Sequence, residues 1–137
     1  MKPFPKSDNA LVIRTDYSDQ RAWDEIRQII LTPVDGFLAY VDFIDDPEYA
    51  DISKAQVMDL HRENGQSYAM IADGLTISNK DHPLLIVDLF AHPGAEFRAE
   101  PGQIQSVQNN LSLANLDFSD FVESIDESGV FRGFHEF

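Results

Sequence analysis

The residues with the greatest chemical capacity in this chain are carboxylates at the ends of short apolar runs. Arg14, Thr15 and Asp16 follow Ala10–Ile13, Asp45 and Asp46 follow Phe37–Ile44, Asp73 follows Ser67–Ala72, and Asp88 interrupts Leu84–Phe90. In open α/β sheets, ligands bind beyond the carboxyl ends of the strands. If the first, second and fourth runs are parallel strands, Asp16, Asp45 and Asp46 converge there. Three carboxylates in one cleft suit Mg²⁺ or Ca²⁺, hard cations that take oxygen ligands. Such an ion would support metal-assisted chemistry on a phosphorylated small molecule, with Arg14 or Lys80 as the nearest phosphate-binding cation. Ordinary roles compete: Asp45-Asp46-Pro47 is common turn chemistry, and Asp16 can help to cap a helix. No cofactor is otherwise expected. Asp88 poses a separate question, because a buried carboxylate needs a partner. Arg14, Arg98 and Arg132 are the candidates. An ion pair fixing the tail to the sheet is the favoured expectation, and a perturbed carboxylate in a cleft is the alternative.

Other chemistries find little support. There is no cysteine, hence no disulfide framework and no thiolate. His61, His82, His92 and His135 form neither HxxxH nor HxH, so a zinc site is not expected. No nucleophile elbow, P-loop or dinucleotide-binding glycine motif is present. Asn109, Asn110 and Asn115 surround a helical stretch and read as caps or partners of backbone carbonyls.

Charge points elsewhere. The chain carries 10 Lys and Arg against 24 Asp and Glu, a formal net charge of −14. Residues 1–34 hold as many basic as acidic residues, so the whole excess falls later. It concentrates in Asp42–Asp51 and in Asp117, Asp120, Glu123, Asp126 and Glu127. A surface of this sign argues against nucleic acid, whose phosphates need Lys and Arg. No membrane association is expected either, because the longest apolar run is far shorter than a membrane span. The opening residues lack the apolar stretch of a secretion signal, and a cytoplasmic protein is expected. The leading expectation is therefore a non-enzymatic protein-binding module of inhibitor or immunity type. The Asp117–Glu127 block would dock a basic protein surface, with the oligomeric state left open. Its warrant is charge complementarity and the fast association that it drives.

The elements that must position these groups are legible from periodicity. Ala10–Ile13 reads as a buried strand. Ser18 caps a helix in which Ala22, Trp23, Ile26, Ile29 and Ile30 form an apolar stripe. Phe37–Ile44 is a second strand. Ser53 caps a helix to about Asn64, which Gly65 ends. Ser67–Ala72 and the continuous run Leu84–Phe90 are strands, and Asp73–His82 is a loop with at most one helical turn. His92-Pro-Gly-Ala95 turns the chain into a short returning strand, Glu96–Ala99, expected as an antiparallel edge. Two helices follow, with inward stripes Ile104, Val107 and Leu111, then Phe118, Phe121, Val122 and Ile125. Val130–Phe134 is an apolar tail. The alternation of strands and helices predicts one α/β domain over 10–137, with a mixed, mostly parallel sheet of about five strands flanked by helices. Residues 1–9 are expected to be a mobile lead-in. At 137 residues and 43% hydrophobic composition, the chain suits one domain with a substantial core.

Several blocks carry a family resemblance. Arg14-Thr-Asp-Tyr-Ser-Asp19 with Ala22-Trp23, His82-Pro-Leu-Leu-Ile-Val-Asp-Leu89, Asn109-Asn-Leu-Ser-Leu-Ala-Asn-Leu-Asp-Phe118 and Gly129-Val-Phe-Arg-Gly-Phe134 are the main ones. From about Leu11 to Phe134 the chain resembles a family of short, acidic, mainly bacterial proteins known as a domain of unknown function. The resemblance implies a single stand-alone domain and no particular activity. It directs attention to Arg14, Asp16, Asn110, Asn115 and Arg132 as polar residues inside the motifs.

Overall fold

A computed structural model describes residues 1–134. Six strands, β1 (Ala10–Arg14), β2 (Val41–Ile44), β3 (Tyr68–Ala72), β4 (Leu84–Asp88), β5 (Glu96–Ala99) and β6 (Val130–Phe131), form one sheet in the order β2-β1-β3-β4-β5-β6. Five helices accompany them: α1 (Gln20–Leu31), α2 (Lys54–Leu60), α3 (Gly74–Ser78), α4 (Ile104–Ser112) and α5 (Phe118–Val122). The architecture is a single α/β domain, and its sheet is mixed. β1 pairs in parallel with β2 and β3, and β5 with β6, whereas β4 runs against both of its neighbours.

Strand alternation assigns the two faces. Ala10 and Val12 of β1, Tyr68, Met70 and Ala72 of β3, and Leu84 and Ile86 of β4 meet α1, α4 and α5. Leu11, Ile13, Ala69, Ile71, Leu85 and Val87 face the other way, onto Val57 of α2, Tyr49 and Phe4. Interior strands buried on both faces read as near-continuous apolar runs, and β1, β3 and β4 are wholly buried, apolar except for Arg14 and Asp88 at their ends. Trp23, Ile26 and Ile30 bury the inner stripe of α1, as its spacing requires.

Several local expectations need correction. The cap of α1 is Asp19, whose carboxylate accepts from the Ala22 amide, rather than Ser18. The reversed strand is β4, because the span from Asp73 to Pro83 is shorter than a parallel crossover requires. β5 is antiparallel to β4 as its hairpin demands, but it is not an edge: the tail supplies β6 beyond it. The lead-in does not run free of the body. Phe4 is 3% exposed, its amide donates to the Leu60 carbonyl, and Lys2 offers its carbonyl to the Tyr49 hydroxyl. The expected histidine His135 and the end of the 10–137 domain lie outside the described residues. Among the described residues no helix is long and apolar enough to cross a membrane.

Candidate functional site

β1 and β2 are parallel, so Arg14, Asp16, Asp45 and Asp46 do emerge at one end of the sheet. Two of their side chains, Arg14 and Asp45, are turned on one another. The Arg14 guanidinium is almost fully buried and donates from Nε to the Asp16 carbonyl at 3.1 Å. Its Nη1 donates to Gln20 Oε1 at 2.9 Å and to Asp45 Oδ1 at 3.3 Å. It also lies 4.1 Å from the centre of the Tyr17 ring, within cation–π range. The second Asp45 oxygen accepts from the Trp23 indole at 3.1 Å. Burial, reinforced by the Asp45 carboxylate, pushes the Tyr17 phenol up to about 12.

Asp16 and Asp46 serve their own loops. Asp16 Oδ1 accepts from the Ser18 amide and hydroxyl. Asp46 accepts from the Glu48 amide, capping the short turn Pro47–Tyr49, and pairs with Lys2. The bond from the Glu48 amide and the Lys2 contact hold the Asp46 carboxyl below its ordinary value. Asp16, Asp45 and Asp46 therefore do not share a point. Among the described residues no three His, Asp or Glu side chains are arranged to hold a metal ion. The convergence expected of these three aspartates is thus limited to the strand ends, because their oxygens go to separate partners.

Asp88 takes no arginine. The reversal of β4 carries it to the end of the sheet opposite Arg14, and its two oxygens accept the backbone amides of Phe90 at 2.9 Å and His92 at 3.0 Å. It closes the β4–β5 turn instead of pinning the tail. Arg98, opposite Leu85, reaches the other way. It grips both oxygens of Asp73 at 2.9 and 2.8 Å and donates to the Pro83 carbonyl. Burial raises the Asp73 carboxyl, but Arg98 and Thr76 outweigh it and leave the group below its ordinary value. Arg132 is held by Asp126, Asp81 and Glu100. Arg132 thus ties the tail to carboxylates other than Asp88.

The Asp117–Glu127 block divides in two. Asp120 accepts from the Asp117 amide at the start of α5. Asp126 is saturated by the Ser128 amide and hydroxyl, the Val130 amide and Arg132 Nε. Its carboxyl is held far below the usual range by the Ser128 hydroxyl first and Arg132 second. Asp117, Glu123 and Glu127 are exposed, with no base in ion-pair contact among the described residues. Asn110 donates to the Ser106 carbonyl, and its own carbonyl accepts the Asn115 and Leu116 amides that close α4. Asn115 is exposed, so neither asparagine joins Arg14 or Asp88.

The feature that sequence reasoning missed is an apolar groove on the α4–α5 side of the sheet. Its volume is about 640 Å³, and it runs between the α4–α5 connection and the β4–β5 turn. Leu111, Leu116, Phe118 and Val122 form one wall, Phe90 stands on the other, and Tyr68 and Asp88 are also in its lining. Burial pushes the Tyr68 phenol, which contacts the Ser112 hydroxyl, up to about 12. The signal was present: Phe118, Phe121, Val122 and Ile125 read as one inward stripe, yet α5 is too short to bury them all. Phe121 is fully buried, Phe118 and Val122 are half-buried along the groove, and Ile125 is exposed.

No curated protein matches the chain. A family model does, over residues 9–134, which includes every element of the sheet. The chain therefore belongs to the family described as domain of unknown function DUF6924.

Proposed function

We propose that this domain is a non-enzymatic protein-binding module that docks the basic surface of another protein, in the manner of an inhibitor or immunity protein. The observation that supports this reading is the disposition of charge. The arginines named as candidate partners of Asp88, namely Arg14, Arg98 and Arg132, are each paired with other carboxylates of the same chain. The carboxylates left over face solvent, Asp117, Glu123 and Glu127 among them. An unpaired exposed carboxylate contributes little to folding, but summed over a face it attracts a cationic partner from a distance and sets its orientation.

The test is capture from lysate by the immobilised domain, compared with a Asp117→Asn, Glu123→Gln, Glu127→Gln variant. Captured proteins should be basic. They should be lost by about 0.5 M salt, where the Debye length has shrunk to a few ångströms, and weakened several-fold by the variant. Capture that the variant and salt both leave unchanged would dismiss the proposal, as would a complete lack of partners.

A further inference from the structure

We infer that the groove between the β4–β5 turn and α5 seats the apolar ridge of a cationic amphipathic helix on the partner. This inference rests on the protein-binding reading above and gives it a location and an occupant. Apolar surface left outside the core of a domain marks an interaction site when it is contiguous and concave. Here the concavity holds about 640 Å³, and its apolar character spills beyond it. Phe90, on the rim, is 80% exposed, and Leu113, on the connection that forms the opposite wall, is 71% exposed. A small molecule gains most from enclosure, whereas a rim of this kind is covered by a macromolecule. A helix presents apolar residues at i, i+3, i+4 and i+7, and that row fits an open apolar groove.

The charge of the occupant follows from the rim. The lining contains no Lys or Arg, and the exposed Asp117 is part of it; Asp88, also there, is buried with both oxygens on backbone amides. Glu123 lies four residues after Ser119, which also lines the groove, so both share one flank of the α5 turn. An apolar row flanked by acidic residues would be repelled here, because like charges desolvated together are unfavourable. Lysines or arginines flanking the row would meet Asp117 and Glu123, which have no base of their own among the described residues.

The experiment titrates fluorescently labelled synthetic helices against the whole domain, read by anisotropy. The probe has leucines at i, i+3, i+4 and i+7 with lysines between. Controls are its scrambled sequence and a version with glutamine in place of lysine. The domain is compared with Phe90→Asp, Ala114→Asp and Asp117→Asn/Glu123→Gln variants. Phe90 and Ala114 are exposed, so their substitution spares the core, and circular dichroism confirms folding. The two aspartate substitutions add negative charge, so electrostatics alone would tighten binding. Seating in the groove predicts the reverse, a loss of about fivefold or more. The scrambled and glutamine probes should each bind at least about tenfold more weakly than the parent, or 1.4 kcal/mol. Equal binding of parent and scramble, or tighter binding by Phe90→Asp, would overturn the groove. If the Asp117→Asn/Glu123→Gln variant still weakened binding in that case, the basic-partner reading would survive its loss. A glutamine helix binding as well as the lysine helix would overturn the cationic occupant. Failure of every probe, with no basic protein captured, would remove both readings.

Discussion

Replacing Arg14 with Met should destabilise the domain by about 3 kcal/mol, most of it through lost hydrogen bonds to groups that stay in place. The side chain is 2% exposed and carries three hydrogen bonds and the contact with the Tyr17 ring. Bonds involving a charged group are worth about 1.5–3 kcal/mol each, net of water, and a cation–π contact about 1 kcal/mol. The simple total overstates the loss. Met restores the aliphatic packing, Gln20 is exposed, and the Asp45 side chain is 38% exposed, so both acceptors regain water. The cost of breaking a fully buried pair, about 3–5 kcal/mol, is accordingly an upper bound. For a domain of this size the expected loss lowers the melting midpoint by roughly 10 °C. Urea unfolding followed by fluorescence measures it directly, because Trp23 is the sole tryptophan, is fully buried and donates to Asp45. A cycle with Asp45→Asn isolates the ion pair, whose coupling should be only about 0.5–1 kcal/mol for so exposed a carboxylate. A total loss below about 1 kcal/mol would mean that Arg14 does not make these bonds. A coupling above about 3 kcal/mol would mean that the cluster is closed to water.

Phe121→Ala should cost about 3–5 kcal/mol in the same assay, because its ring contacts Phe97, Phe131 and Phe134 at centroid separations of 5.7, 5.0 and 5.3 Å. Asp88→Ala strands two amides at the β4–β5 turn and should cost about 1–3 kcal/mol. Amide exchange should accelerate at Phe90 and His92, and Asp88→Asn, which keeps one acceptor oxygen, should recover part of the loss. In alkali, Tyr68 supplies a signed test. Its folded pKa of about 12 lies above the ordinary value of 10, so its contribution is complete below pH 10 and is lost as pH rises towards 12. At about 1.4 kcal/mol per pH unit, the domain should lose about 2–3 kcal/mol there. Tyr68→Phe should flatten this decline, and an unchanged slope would show the phenol to be solvated.

β1, β3 and β4 were legible as strands because their continuous apolar runs suit burial on both faces, and α1 followed from period 3.6. The Ser53 cap was legible too: Gln56 three residues later completes a capping box. The direction of β4 was not read, although the brevity of the Asp73–Pro83 connection held the information. That one reversal moved Asp88 away from Arg14 and made an ion pair between them geometrically impossible. β6 escaped notice because two residues show no period. The clustering of Arg14 with Asp45 depended on strand order, which local sequence does not encode. The groove was masked by treating Phe118, Phe121, Val122 and Ile125 as one inward stripe, when α5 stops at Val122 and fully buries Phe121 alone.

The reversed β4 also has a kinetic meaning. β3, β4 and β5 are joined by short connections and form an antiparallel meander around the centre of the sheet. Every parallel pairing, by contrast, closes a longer loop than the β3–β4 or β4–β5 connection. Local pairings lose less chain entropy on closure. The meander should therefore assemble in the folding transition state, with β1, β2 and β6 adding to its edges afterwards. Conservative truncations such as Ile86→Val should slow folding, whereas Val130→Ala should mainly hasten unfolding.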